Sequence, residues 1–459
     1  MNRTWTALLG GLLALALTGV YWNHFDNGFY FDDVHTIVNN EYVHSLDNIV
    51  EYFTGIEAFG TMPTNRGYRP IVVLLNSVDY QLGGQALNPT VYHISIWFWY
   101  LIQGILLYVI AVRILRFIYP NTDARFVSIL TTTFYMFHTV NAETVNYIIC
   151  RSDSFSTTMV LASLVIYMSP KLRRFQLHLL PFIVGMFTKE ISYMFIPMVM
   201  LYHYLFVAEG EIKNVFSRKE FTKIGTTLKA TAPIFIIGTG LLVLNLVYMT
   251  DTSRLSEGLA YPRWDYFSSQ FVVITHYIGN FIVPLDLSAD PDFKVTSDFS
   301  SYKLIGLLIL GTLFIGGIAA LTKRKLLPIG FGILWYFICL APTSSLNPMH
   351  QVANDHRAFL PNIGLCIAVG WSMYLVYMKW PKLKYAILLA TALVITGHSY
   401  GTYQRNEVWG SDETLWKDAA DKGPNNGRAL MNYGLVLMKK ANYQGAEPYF
   451  QKAVELLPY

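Results

Sequence analysis

Two adjacent carboxylates, Asp32 and Asp33, stand directly after the first long apolar run, within Phe29-Tyr30-Phe31-Asp32-Asp33-Val34-His35. Carboxylates beside a hydrocarbon span are costly to desolvate, so the pair reads either as a site or as a helix cap in which Asp33 accepts a backbone hydrogen bond. Further charges recur beside other apolar runs: Arg69 in Tyr68-Arg69-Pro70, Glu143 after His138, then Arg151 and Asp153, Lys189-Glu190, and His356-Arg357. Such a mixture of signs suits a reaction in which a carboxylate deprotonates a hydroxyl acceptor while cations hold a departing phosphate. Each residue also has a plainer role open to it. Arg69 can snorkel as an interfacial anchor, Lys189 and Glu190 can pair, His356 and Arg357 can start a helix, and Arg151 and Asp153 can neutralise each other at a helix cap.

The elements that carry these residues are membrane spans. With 459 residues, 53% hydrophobic and 14% charged, the chain has too many long apolar runs for a soluble globule. The formal charge of +4 comes from Lys and Arg clusters between those runs, a pattern that orients spans and argues against a nucleic-acid partner. Cys150, Cys339 and Cys366 are too few and too dispersed for a disulfide framework. The stretch Trp5 to Trp22 reads as an uncleaved first span, since an aromatic pair and no small-residue cleavage pattern follows it.

The clusters Arg113-Arg116-Arg125, Lys171-Arg173-Arg174, Glu209 to Lys229, Lys323-Arg324-Lys325 and Lys379-Lys382-Lys384 are expected on the cytoplasmic side. All the mixed-charge residues then fall outside. Residues 264–284 must keep the crossing count even and are expected as an interfacial or re-entrant helix, giving about eleven spans in total. Between them, Val43 to Phe53 and Ile71 to Leu82 have helical spacing.

After residue 402 the composition turns polar and a repeat begins: Trp416, Ala419 and Pro424 recur as Phe450, Ala453 and Pro458, each displaced by 34. Gly434 and Ala446 fall where a tetratricopeptide repeat needs small residues. One helical pair and a preceding half-unit fall short of the roughly three repeats a solenoid needs, so the segment 403–459 is expected to lean on the membrane domain 1–402.

The Asp-Asp motif, Tyr68-Arg69-Pro70, Tyr92-His93, His138 to Asp153, Lys189-Glu190, His356 to Gly364 and the terminal repeats together resemble the transmembrane and tetratricopeptide repeat-containing O-mannosyltransferases and their bacterial relatives, over nearly the whole chain. One departure is His138-Thr139-Val140-Asn141, where the family more often shows His-Pro. The resemblance implies an all-α polytopic membrane protein of GT-C type. It further implies inverting transfer of mannose or a similar hexose from a polyprenyl-phosphate donor to Ser/Thr hydroxyls of a protein acceptor, on the periplasmic side of a bacterial inner membrane. Asp32 is then the expected base, with Asp33 orienting the acceptor, the base or an ion. Arg69, Arg151, Lys189, His356 and Arg357 hold the donor phosphate, and His35, His138, Glu143, Asp153 and Glu190 support the acceptor side. No cofactor is expected, no His or Cys spacing marks a metal, and a divalent cation stays open. The repeats are expected to contact the acceptor. Transfer to a lipid-linked saccharide or surface polymer, and a non-enzymatic membrane-anchored repeat scaffold, remain as alternatives.

Overall fold

The computed structural model describes residues 3–63, 67–120, 124–248, 261–345 and 348–457. Among them there is no strand, and the helices of eight residues or more follow in the order α1 (Arg3–Val20), α2 (Pro70–Leu82), α3 (Pro89–Ile118), α4 (Ala124–Met136), α5 (Arg151–Tyr167), α6 (Leu179–Met186), α7 (Phe195–Tyr202), α8 (Arg218–Tyr248), α9 (Arg263–Ile282), α10 (Ser301–Leu321), α11 (Leu327–Leu340), α12 (Phe359–Lys379), α13 (Lys384–Val408), α14 (Asp412–Lys422), α15 (Gly427–Lys439) and α16 (Tyr443–Leu456).

Five stretches of the described residues are long and apolar enough to cross a membrane: Pro89–Ile118, Glu190–Val207, Arg218–Leu246, Ser301–Leu321 and Asp355–Lys379. This is a multi-pass membrane protein. The other expected crossings fall on shorter or more polar helices. In α5 the first two turns bury Arg151, Ser152, Asp153, Ser154, Ser156 and Thr157, so this helix runs through the protein and needs no apolar outer face. Gln103 of α3 answers part of that polarity by donating to the Ser154 carbonyl at 2.6 Å. Helices α11 and α12 meet backbone to backbone, because a Cβ on Gly332 would run into the Gly364 carbonyl and one on Gly364 into that of Gly332. Trp335 Nε1 then reaches the Leu360 carbonyl at 3.0 Å.

The expected inner features gather at one end. Arg324, between α10 and α11, lies 3.9 Å from Glu209 and 5.1 Å over the Phe117 ring at the end of α3, and Trp371 of α12 donates to the Lys325 carbonyl at 2.8 Å. The mixed charges gather at the other end. There α9 lies against Thr343, Val352 and Asn354, with Tyr266 donating to the Thr343 carbonyl at 2.6 Å, Gln270 to that of Val352 at 3.3 Å, and Tyr277 accepting from the Asn354 amide at 3.0 Å.

Two local expectations change. The helical spacing over 43–53 is broken by Ser45, whose hydroxyl accepts from the Asp47 amide at 3.1 Å, and only Ile49–Thr54 remains α-helical. The boundary expected at 402/403 lies inside α13, which continues to Val408; the chain turns at 409–411, where Ser411 and Thr414 form a capping box for α14. Helices α14 to α16 then pack as one unit around Trp416, Ala419, Leu430 and Tyr433. Gly434 lets α16 close on α15, since a Cβ there would stand 2.9 Å from the Phe450 ring. Pro458 lies outside the described residues.

Candidate active site

A buried polar knot ties the first loop to α13 and to the segment before α5. Asn146 accepts from Asn27 at 2.7 Å and donates to Asn406 of α13 at 2.6 Å, while the ring nitrogens of His24 and His93 meet the Asn146 side chain and the Asn27 carbonyl, each at 3.1 Å. Asp33 makes the next tie. Its two carboxylate oxygens accept from the amides of Ile149 at 2.8 Å and Tyr30 at 3.1 Å, fixing the loop to the segment before α5.

Beside this loop lies a cavity of about 520 Å³. Its wall takes Phe31, Asp32 and Thr36 from the first loop, Arg69 from the start of α2, Glu143 and Tyr147 from the segment between α4 and α5, Asp153 from α5, Lys189 and Glu190 from the turn before α7, and Gln351, His356 and Arg357 from the turn before α12. Eight of the twelve residues expected from sequence therefore line one space. His35 adjoins it with Nε2 3.3 Å from Asp32 Oδ1.

The charges are arranged in pairs with one remainder. Lys189 Nζ is 2.5 Å from Asp153, Arg69 Nη2 is 3.3 Å from Glu190, and His356 Nδ1 is 2.7 Å from Glu143 Oε1. Arg357 donates to the carbonyls of Gln351 at 2.9 Å and Val352 at 3.3 Å, and among the described residues it pairs with no carboxylate. Its charge is available to an anion. Burial works against ionisation of the Asp32 carboxyl, but the His35 hydrogen bond and charge, Tyr147 and the Arg428 guanidinium outweigh it and hold the group below the usual 3.8. A carboxylate kept ionised and facing a cavity can accept a proton. Burial pushes the Glu143 carboxyl up against the pull of His356, and its Oε2 has no partner among the described residues.

Three expectations are corrected. Arg151 does not reach the cavity: it is buried against Asp79 of α2, with its guanidinium 5.4 Å from the Tyr92 ring centre, and so cannot hold a donor phosphate there. Its expected neutralisation by Asp153 also fails, because residues two apart on a helix face different ways and Asp153 turns to Lys189. Asp33 points away from the cavity into the two amides that hold it, and burial pushes its carboxyl up to about 7. The cap-like role is the one it has. His138 is buried outside the cavity, with Nε2 2.9 Å from the Phe281 carbonyl and its ring stacked on Phe281, where it secures α9.

Sequence reasoning missed Asp79, Tyr147, Cys150 and Arg428. The first two carry no local charge pattern, and Tyr147 accepts from the Asp32 amide at 3.0 Å only through the folded loop. Cys150, Asp153 and His356 bring one ligand-type atom each within 4.8 Å of one another, a grouping their sequence spacing does not announce. A divalent cation there would have to displace the Lys189 ammonium from Asp153.

Fold and site together define a polytopic helical membrane protein with a charged, carboxylate-bearing cavity at one end of its spans. The chain is homologous to animal proteins named protein O-mannosyl-transferases. It is 24% identical to Protein O-mannosyl-transferase TMTC3 of Homo sapiens over 97% of its own length and 51% of that protein. To TMTC4 of Homo sapiens it is 22% identical, over 97% of this chain and 66% of that one. Thus the chain spans about half the length of TMTC3. No family model matches it. The crystal structure of ArnT from Cupriavidus metallidurans bound to undecaprenyl phosphate aligns with 99% of this chain and 75% of its own, at 13% identity and a TM-score of 0.40, a likeness too shallow to carry a functional argument. The family resemblance drawn from the motifs is borne out by the O-mannosyl-transferase relatives.

Proposed function

We propose that this chain is a membrane glycosyltransferase of GT-C type that moves mannose or a similar hexose from a polyprenyl-phosphate donor to a Ser or Thr hydroxyl of a protein, with inversion, on the extracytoplasmic side of a cell membrane, the periplasmic side in a bacterium. One observation carries the reading: the ionised Asp32 carboxylate shares a single cavity with Arg69, Lys189 and Arg357. Asp32 takes the proton of the acceptor hydroxyl as its oxygen bonds to the anomeric carbon. The bond from that carbon to the phosphate oxygen breaks, and its electron pair leaves with the polyprenyl phosphate. Arg357, unopposed by a carboxylate among the described residues, receives the growing phosphate charge, and Lys189 and Arg69 add to it by sharing their present partners. The names of the relatives support a sugar-to-protein reaction.

The decisive experiment uses purified protein, a radiolabelled polyprenyl-phosphate mannose and a Ser/Thr-rich peptide. Asp32→Asn keeps the volume and hydrogen-bonding capacity but removes the base; transfer should fall about a hundred- to ten-thousandfold while donor binding persists. Wild-type turnover by this variant would sink Asp32 as the base.

A further inference from the structure

We propose that the C-terminal helices are part of the active site itself: Trp416 of α14 and Arg428 of α15 clamp Phe31 in a left-handed backbone conformation and thereby aim the adjoining Asp32 carboxylate into the cavity. The catalytic consequence rests on the glycosyltransferase reading, whereas the clamp rests on geometry alone. Phe31 has φ 58°, a strained conformation that a bulky residue keeps only where its surroundings over-determine it. The surroundings here belong to the repeat. Trp416 meets the Phe31 ring edge-on at 5.1 Å, and the Arg428 guanidinium carbon lies 5.7 Å from its centre. From the membrane domain Tyr147 closes on the same ring at 5.8 Å and is itself stacked on Trp409 at 5.1 Å.

Arg428 is not adjustable. It forks onto both oxygens of Asp290, with Nε 2.8 Å from Oδ2, and Asp290 follows the cavity-lining Ala289. The same loop is gripped twice more, by Lys422 on the Leu287 carbonyl at 2.7 Å and by Asn426 on the Asp290 carbonyl at 2.9 Å. Tyr30, one residue before Phe31, donates to the Gly410 carbonyl at 2.7 Å. A repeat that served only to recruit a partner would leave the cavity complete without it. Here it holds two of the cavity's walls, and Arg428 is a positioning residue that acts on Asp32 through Phe31.

Two readouts test this in the full-length protein. In Arg428→Gln, hydrogen exchange at the amides of residues 30–36 should accelerate while α15 and α16 keep their protection, and turnover should fall about tenfold or more with donor affinity within about twofold of wild type. Arg428→Lys, which keeps a cation but cannot fork onto Asp290, should show the same faster exchange and loss of turnover, separating the clamp from the charge felt by Asp32. Asp290→Asn removes the fork from the loop side with the repeat untouched, and should reproduce the exchange phenotype should Arg428→Gln loosen the repeat itself. Unchanged exchange at residues 30–36 in both Arg428→Gln and Asp290→Asn overturns the clamp. Faster exchange with wild-type turnover overturns its catalytic role. A wild-type protein with no transfer activity would instead remove the glycosyltransferase reading, and the exchange arm would still decide the clamp.

Discussion

Arg151 and Arg357 carry the same charge, stand beside apolar runs of the same kind, and do different work. Arg151 is nearly inaccessible, and its charge is spent on the equally buried Asp79. Removing it strands a carboxylate in the interior, so Arg151→Ala should lower stability by about 3–5 kcal/mol. Arg357 lines the cavity and gives its donors to carbonyls, so Arg357→Ala should leave thermal unfolding in detergent near wild type and weaken donor binding by about 1.5–3 kcal/mol. Unfolding temperatures and donor titrations on the two variants separate these outcomes; a stable Arg151→Ala protein with poor donor binding would reverse the assignment. The contrast also marks what sequence conveys about a site. Residue types and their gathering at one end of the molecule were legible, because the mixed charges are distinct from the basic clusters. Partner choice was not, since Arg151 and Asp153 diverge on α5 and Asp33 turns away from Asp32, these three each meeting a residue far along the chain.

Among the elements, those with strong local rules matched their sequence reading. Helix α2 begins at Pro70, a residue pre-set for the first helical position, and ends at Leu82 before Gly83, close to the expected 71–82. The repeat spacing likewise placed Trp416, Ala419 and Ala453 in one core. Where tertiary contact overrides local preference the reading slipped. Helix α13 runs past the compositional change at 402 because Thr402 and Asn406 are buried against the C-terminal ends of α4 and α1, donating to the Phe137 and Val20 carbonyls at 3.1 and 3.2 Å. The α11–α12 contact was silent in sequence, yet it sets where α12 begins and so where His356 and Arg357 stand. Gly332→Val should force the two backbones apart, at about 1–3 kcal/mol of stability, and reduce donor binding. Gly311→Val in α10, where a Cβ meets nothing within 4 Å, is the control. Equal melting temperatures for the two variants would mean that α11 and α12 do not pack through these glycines.

At the scale of the whole molecule the open question is which side of the membrane each end of α9 occupies, because one extra crossing would invert everything after it. A helix that crosses the bilayer touches an outer loop only at its outer end. By contrast, α9 hydrogen-bonds to Thr343, Val352 and Asn354 through Tyr266, Gln270 and Tyr277, which are spread over three turns. The chain after α9 is then tied to the repeat through Asp290 and Arg428. On these contacts both ends of α9, the repeat and the cavity are expected on one side of the membrane, and the Arg324 turn on the other. The three native cysteines are buried, which favours single-cysteine labelling at exposed positions. Trp264→Cys, Leu285→Cys and Tyr443→Cys should all react with a membrane-impermeant maleimide in intact cells or spheroplasts, and Lys325→Cys only after permeabilisation. Labelling of positions 264 and 285 from opposite sides would make α9 a span, and would put the Arg324 turn on the same side as Asp32, against the distribution of Lys and Arg.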